Sequence, residues 1–108
     1  MPLVDKNRIH SWHLFPIRLQ TERLSISRNA FMDELKNAGI GCSVHWRPLH
    51  LHPYYQETYG WRPEDFPIAT ALWERLISLP IFSGMESDQV EHVMDTIKHL
   101  CARYARAL

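Results

Sequence analysis

Glycine is scarce in this sequence, with four in 108 residues. They form no Gly-rich loop of the kind that cradles phosphate through backbone N–H groups, and there is no GxSxG turn to expose a nucleophilic serine. Cysteine is scarcer still. Cys42 and Cys101 stand far apart and form no CxxC pair, which argues against a disulfide framework or a zinc ribbon and makes a reducing cytoplasm the expected compartment. No apolar run approaches the roughly 20 residues that span a bilayer. The opening MPLVDKNRIHSW lacks the apolar stretch and small-residue cleavage site of a secretory signal. Net charge is absent too: twelve basic residues balance twelve acidic ones. No sequence-wide field steers the chain toward nucleic acid or an anionic membrane, and neither is expected as a partner.

What is present is ordinary globular usage, 45% apolar and 22% charged, enough for one domain around one core. Histidine (seven), proline (seven) and tryptophan (four) stand out. Such an excess marks a site, or bulks out the thin core of a small domain.

Residues 1–9 read as a polar lead-in and 10–108 as the domain. Residues 13–19 (HLFPIRL) alternate as a strand, and Pro16 within it asks for an edge position or a bulge. Ser27 is placed to cap a helix running to about residue 38. Phe31, Leu35 and Ala38 share one face, and Gly39 stands where a left-handed residue ends the helix. Residues 40–46 (IGCSVHW) read as a second strand. Pro48 and Pro53 then bracket a loop, followed by a short aromatic segment at 54–59 and an irregular stretch at 60–67. Ile68, Ala69, Leu72, Trp73 and Leu76 form a helical stripe, and residues 77–79 a third short strand. Ser87 is placed to cap a last helix with the stripe Val90, Val93, Met94, Ile97, Cys101 and Tyr104, leaving Glu91, Asp95, Lys98 and Arg103 to water. The order β-α-β-loop-α-β-α predicts an α+β two-layer sandwich: a small, mainly antiparallel three-stranded sheet packed on helices, its other face free for a partner domain.

Reactive side chains crowd into CSVHWRPLHLHPYY: Cys42, His45, Arg47, His50, His52, Tyr54 and Tyr55. Three readings are open. His50 and His52, two residues apart, would share one face of a strand and hold a metal, but prolines frame them in a loop and no carboxylate follows before Glu57. They would equally pack and hydrogen-bond locally. Or the loop, rich in donors and flanked by aromatic rings, would recognise an anion or a sugar. Cys42 and His45, three apart on an extended strand, would point to opposite faces, against a nucleophilic pair. Cys101 falls on the apolar stripe of the last helix and reads as core; His92 and His99 read as that helix's solvated flank. Trp61 and Phe66 read equally as ligand-loop residues or as anchors.

Four segments in this order, HSWHLFPIRL, GIGCSVHWRPLHLHPYY, FPIATALWERLISLPIF and SGMESDQVEHVMDTIKHL, resemble the C-terminal domain of the DegT/DnrJ family of sugar aminotransferases, from about residue 10 to residue 100. The resemblance implies the small domain of a fold-type-I PLP enzyme, one that moves an amino group onto a nucleotide-linked keto-sugar and works as a homodimer. It implies that His45, Trp46, His50 and His52 lie in a loop facing the nucleotide-sugar, with Trp46 standing where the family usually has tyrosine. It also implies that PLP is held elsewhere: the family uses a lysine of the large domain, in a serine-rich segment, and Lys6, Lys36 and Lys98 do not match it. The chain alone is therefore expected to bind no PLP and to be inactive. The alternative kept beside this is a free-standing binding or assembly module with the same fold.

Overall fold

The computed structural model describes residues 4–107. Its elements are strand β1 (Phe15–Arg18), helix α1 (Arg28–Asn37), helix α2 (Pro53–Tyr59), helix α3 (Pro67–Arg75), strand β2 (Leu76–Leu79) and helix α4 (Ser87–Arg103). Short 3-10 turns lie at Thr21–Arg23, Leu49–Leu51 and Pro63–Asp65. This is an α+β arrangement in two layers, a β ribbon against helices.

The ribbon pairs β1 and β2 antiparallel, Phe15 opposite Leu79 and Ile17 opposite Ile77. Strand alternation puts these four side chains on one face. That face meets α1 and α4, and Ile77 is fully buried with Phe31, Leu35, Val93 and Leu100 in the core. Truncating Phe31 would cost about 3–5 kcal/mol on the scale of buried phenylalanines.

The expected third strand is not formed. Among the described residues the sheet has two strands, and the 40–46 segment contributes a single antiparallel bridge, Ser43 to Ser78. Ser43 N–H donates to Ser78 O (3.2 Å) and Ser78 N–H to Ser43 O (2.7 Å). Pairing stops there because the chain next turns into the proline-framed loop. The bridge also explains Pro16. Ser78 spends its backbone groups on Ser43, so its pairing with Pro16 is one that uses no hydrogen bond, and the missing proline N–H costs nothing.

α1 follows its local signals closely. Ser27 Oγ accepts from Ala30 N–H at 3.2 Å. At the other end Gly39 takes φ 79°; its N–H donates to Lys36 O and that of Ile40 to Leu35 O, each at 2.9 Å. These two bonds are the Schellman pattern, and its apolar contact is supplied by buried Ile40 over Leu35.

Three expectations are corrected. The aromatic 54–59 segment is helical, begun by Pro53 at its first position and ended by Gly60 at φ 68°. The α3 stripe does not enter the core: Ile68 is 77% exposed and Leu72 is exposed as well. α4 is capped at Glu86 rather than Ser87, Glu86 N–H donating to Gln89 Oε1 at 2.9 Å. On α4, Val93 and Leu100 are buried, whereas Val90 and Met94 are 41% and 47% exposed. Past α4 the chain pairs back onto the segment before α1, through Ser25 N–H to Tyr104 O and Arg106 N–H to Arg23 O, both 2.8 Å.

Candidate functional site: the histidine loop

The loop between Ser43 and α2 is held at three places. The Ser43–Ser78 bridge fixes its start on the sheet. Its end is the 3-10 turn Leu49–Leu51, in which Leu51 N–H donates to Pro48 O and His52 N–H to Leu49 O, each at 3.0 Å. His52 O then accepts from Tyr55 and Gln56 N–H at 3.1 Å, beginning α2.

The third hold is His50. It is only 4% exposed. Its Nε2 lies 2.8 Å from Thr70 Oγ1 on α3, and Thr70 Oγ1–H donates to Pro63 O at 2.9 Å. A hydroxyl has one proton to give. With that proton on Pro63, Thr70 accepts, so His50 carries its proton on Nε2. Its ring also stacks on Phe66, centroids 4.7 Å apart. From Phe66 an aromatic ladder runs through Trp61 to Tyr55 and Tyr59. These rings pack mainly on one another and pin the short α2 beside α3, so Trp61 and Phe66 act as anchors.

His52 is half-buried, and its Nε2–H donates to Arg47 O at 3.2 Å, closing the loop across its neck. Its other end is open. His45 is half-buried, with Nδ1 3.2 Å from Ser43 Oγ and its ring edge-to-face with Trp46 at 4.5 Å. Trp46 is 75% exposed, and Arg47 is exposed. The structure thus keeps the four predicted residues in one loop, with His50 buried, His45 and His52 half-buried and Trp46 exposed. Thr70 and Ser43 are the residues that sequence reasoning missed. Thr70 stands twenty positions from His50, and no local pattern connects them.

Among the described residues no group of three or more His, Cys, Asp or Glu side chains is arranged to hold a metal. The two thiols, Cys42 and Cys101, both pack against the core. Burial raises the pKa of each; at Cys42 nearby Lys36 opposes that rise and Asp33 adds to it. Neither is the activated thiolate of a nucleophilic site.

The sequence profile of the DegT/DnrJ/EryC1/StrS aminotransferase family matches residues 1–98. The chain belongs to this family. It is 46% identical over 99 residues to the uncharacterized protein MJ1066 of Methanocaldococcus jannaschii, and 34% identical over 100 residues to the spore coat polysaccharide biosynthesis protein SpsC of Bacillus subtilis. Each alignment covers 92% of this chain and 26% of the relative, so the chain spans about a quarter of the length of these curated relatives. Among solved structures it superposes on Spr1654 of Streptococcus pneumoniae, assigned as a sugar aminotransferase, in its PLP form: TM-score 0.75 and 31% identity over 84% of this chain and 23% of that one. The same relative is known in a PMP form.

Those relatives make PLP the cofactor to test against the residues here. An amine that forms a Schiff base with pyridoxal sits where it can lose its proton, near an acidic partner for the ring nitrogen. In this DegT/DnrJ-family chain Lys36 and Lys98 are exposed, and each pairs with an aspartate on its own helix, Asp33 at 3.8 Å and Asp95 at 3.2 Å. Lys6 is exposed in the lead-in. These residues do not fit a pyridoxal site.

Proposed function

We propose that this chain is the C-terminal small domain (residues 10–108, after the lead-in 1–9) of a PLP-dependent nucleotide-sugar aminotransferase of the cytoplasm. In this reading it supplies substrate-pocket and dimer surfaces and lacks the catalytic lysine. The observation that carries the proposal is the pairing of family membership with the lysine geometry: a quarter-length match to the family and, among the described residues, no lysine suited to pyridoxal.

The chain's own contribution is recognition. The loop bearing His45, Trp46, His50 and His52 is braced against the sheet, α2 and α3, and it offers the His45 imidazole, the Arg47 guanidinium and an exposed indole. Donors of this kind match phosphate and hydroxyl oxygens, and a Trp face matches a sugar or base ring. Because the bracing is paid in folding, little ordering remains for the ligand to impose.

Two measurements test the reading. Purified chain mixed with PLP and borohydride is expected to carry no stoichiometric pyridoxyl adduct by mass spectrometry; one adduct per chain at a single lysine would overturn it. UDP- and dTDP-linked glucose, titrated separately, are expected to change the tryptophan fluorescence. That change should vanish in Trp46→Phe, since Trp12, Trp61 and Trp73 lie outside the loop.

A further inference from the structure

The four histidine-loop residues do not stand in equivalent positions, and the hydrogen-bond chemistry separates them. Thr70 Oγ1 uses its only proton on Pro63 O, which forces Nε2–H on His50. Arg47 O is a carbonyl and can only accept, which forces Nε2–H on His52. Each imidazole has therefore committed its proton to holding the protein's own backbone or side chains. His50 is in addition buried and covered by Phe66. A ligand reaching His50 Nε2 would have to displace Thr70, leaving that half-buried hydroxyl with its Pro63 bond alone. The His45–Trp46–Arg47 end carries no such commitment to a distant element. Its described polar contacts are Ser43 Oγ with the His45 ring and the Arg47 carbonyl with His52.

We propose that His50 and His52 are positioning residues and that ligand contact belongs to His45, Trp46 and Arg47. The Thr70–His50 bond sets the depth at which the loop sits on α3. The His52–Arg47 bond sets the angle at which the neck presents residues 45–47. This rests on the loop facing a nucleotide-sugar only for the ligand half of the claim; the positioning half stands on the chain alone.

The test has two arms to match. Long-range proton–nitrogen NMR of the 15N-labelled full chain at mildly alkaline pH is expected to show His50 and His52 as single Nε2–H tautomers. Thr70→Val, which keeps the shape and removes the hydroxyl, should turn His50 into a mixture of tautomers and shift the Trp46 indole signal, whereas Thr70→Ser should do neither. An Nδ1–H tautomer at His50 in the unsubstituted chain, or a Trp46 signal indifferent to Thr70→Val, overturns the positioning role. In the second arm, UDP-glucose is titrated against His50→Ala and His50→Gln, both checked for folding by circular dichroism. The Gln amide nitrogen reaches the place of Nε2. His50→Gln is therefore expected to restore most of the affinity that His50→Ala loses, a loss of roughly five- to tenfold for one hydrogen bond. Gln as damaging as Ala in a folded chain means that the imidazole itself meets the ligand, and the division fails. Absence of any UDP-glucose binding by the unsubstituted chain sinks the assignment of contact to residues 45–47, while the first arm still decides what His50 does.

Discussion

Cys42 and Cys101 show how a residue type associated with chemistry is turned into packing material. Cys42 Sγ contacts Met32 O at 3.9 Å, a weak hydrogen bond, and both thiols face the core cluster. Burial disfavours the thiolate, so each pKa lies above the ordinary value of 9.0 in the folded chain. Below 9.0 both states keep the thiols protonated, and their contribution to stability is complete. Above it the unfolded chain releases protons that the folded chain still holds, and that contribution is lost as pH rises through the folded-state values. The melting temperature should therefore fall more steeply between neutral pH and the alkaline range in the natural chain than in Cys42→Ala/Cys101→Ala. Equal slopes would show that these thiols are not the groups responsible. Alkylation by iodoacetamide near neutral pH is expected to be slower for either thiol in the folded chain than in urea. His92 makes the same point about histidine. It lies on the solvated flank of α4, yet its ring nitrogen Nε2 donates to Ala38 O at 2.9 Å, where α1 runs out of internal partners.

Elements built from local signals were readable; those that depend on distant partners were not. α1 has its cap at Ser27, its core face at Phe31 and Leu35, and its stop at Gly39, all within thirteen positions. Ser27→Ala should cost about 1 kcal/mol, and Gly39→Ala a comparable amount, because φ 79° burdens any side chain with a Cβ; both are read from urea midpoints at constant slope. A Gly39→Ala variant as stable as the parent would show that the α1 stop relaxes without loss. The third strand failed for the opposite reason. Residues 40–46 have the composition of a strand, but a strand exists only as far as its partner accepts it, and Ser78 accepts one residue, Ser43. α2 was hidden because its rings stack on Trp61 and on each other instead of forming a stripe toward the core. The same division holds in the site. That His45, Trp46, His50 and His52 lie together follows from eight residues of sequence, whereas the burial of His50 depends on Thr70 and Phe66, which are brought in from the start of α3.

At the scale of the whole molecule, two apolar surfaces lie open. Ile68 and Leu72 of α3 border a cleft beside the end of β1. The larger apolar surface is a groove of about 470 Å³ between the ribbon and α4, lined by Phe15, Ile17, Leu79, Val90, Met94 and Ile97, with Lys98 at its rim. Apolar area left in water is unfavourable by roughly 25 cal/mol per Å², and contiguous patches of this kind drive association. A chain that spans a quarter of its relatives has only copies of itself with which to cover the groove when it is purified alone. We expect a dimer or higher oligomer, seen as a scattering mass that falls on dilution. Met94→Lys places a charge in the groove at a position already half open to solvent, so it should shift the equilibrium toward monomer with little loss of fold. Ile68→Lys, in the other cleft, should leave the mass unchanged. If both substitutions dissociate the oligomer equally, the contact is not specific to the α4 groove. If the unsubstituted chain scatters as a monomer at high concentration, the groove is stable in water and the self-association reading is wrong.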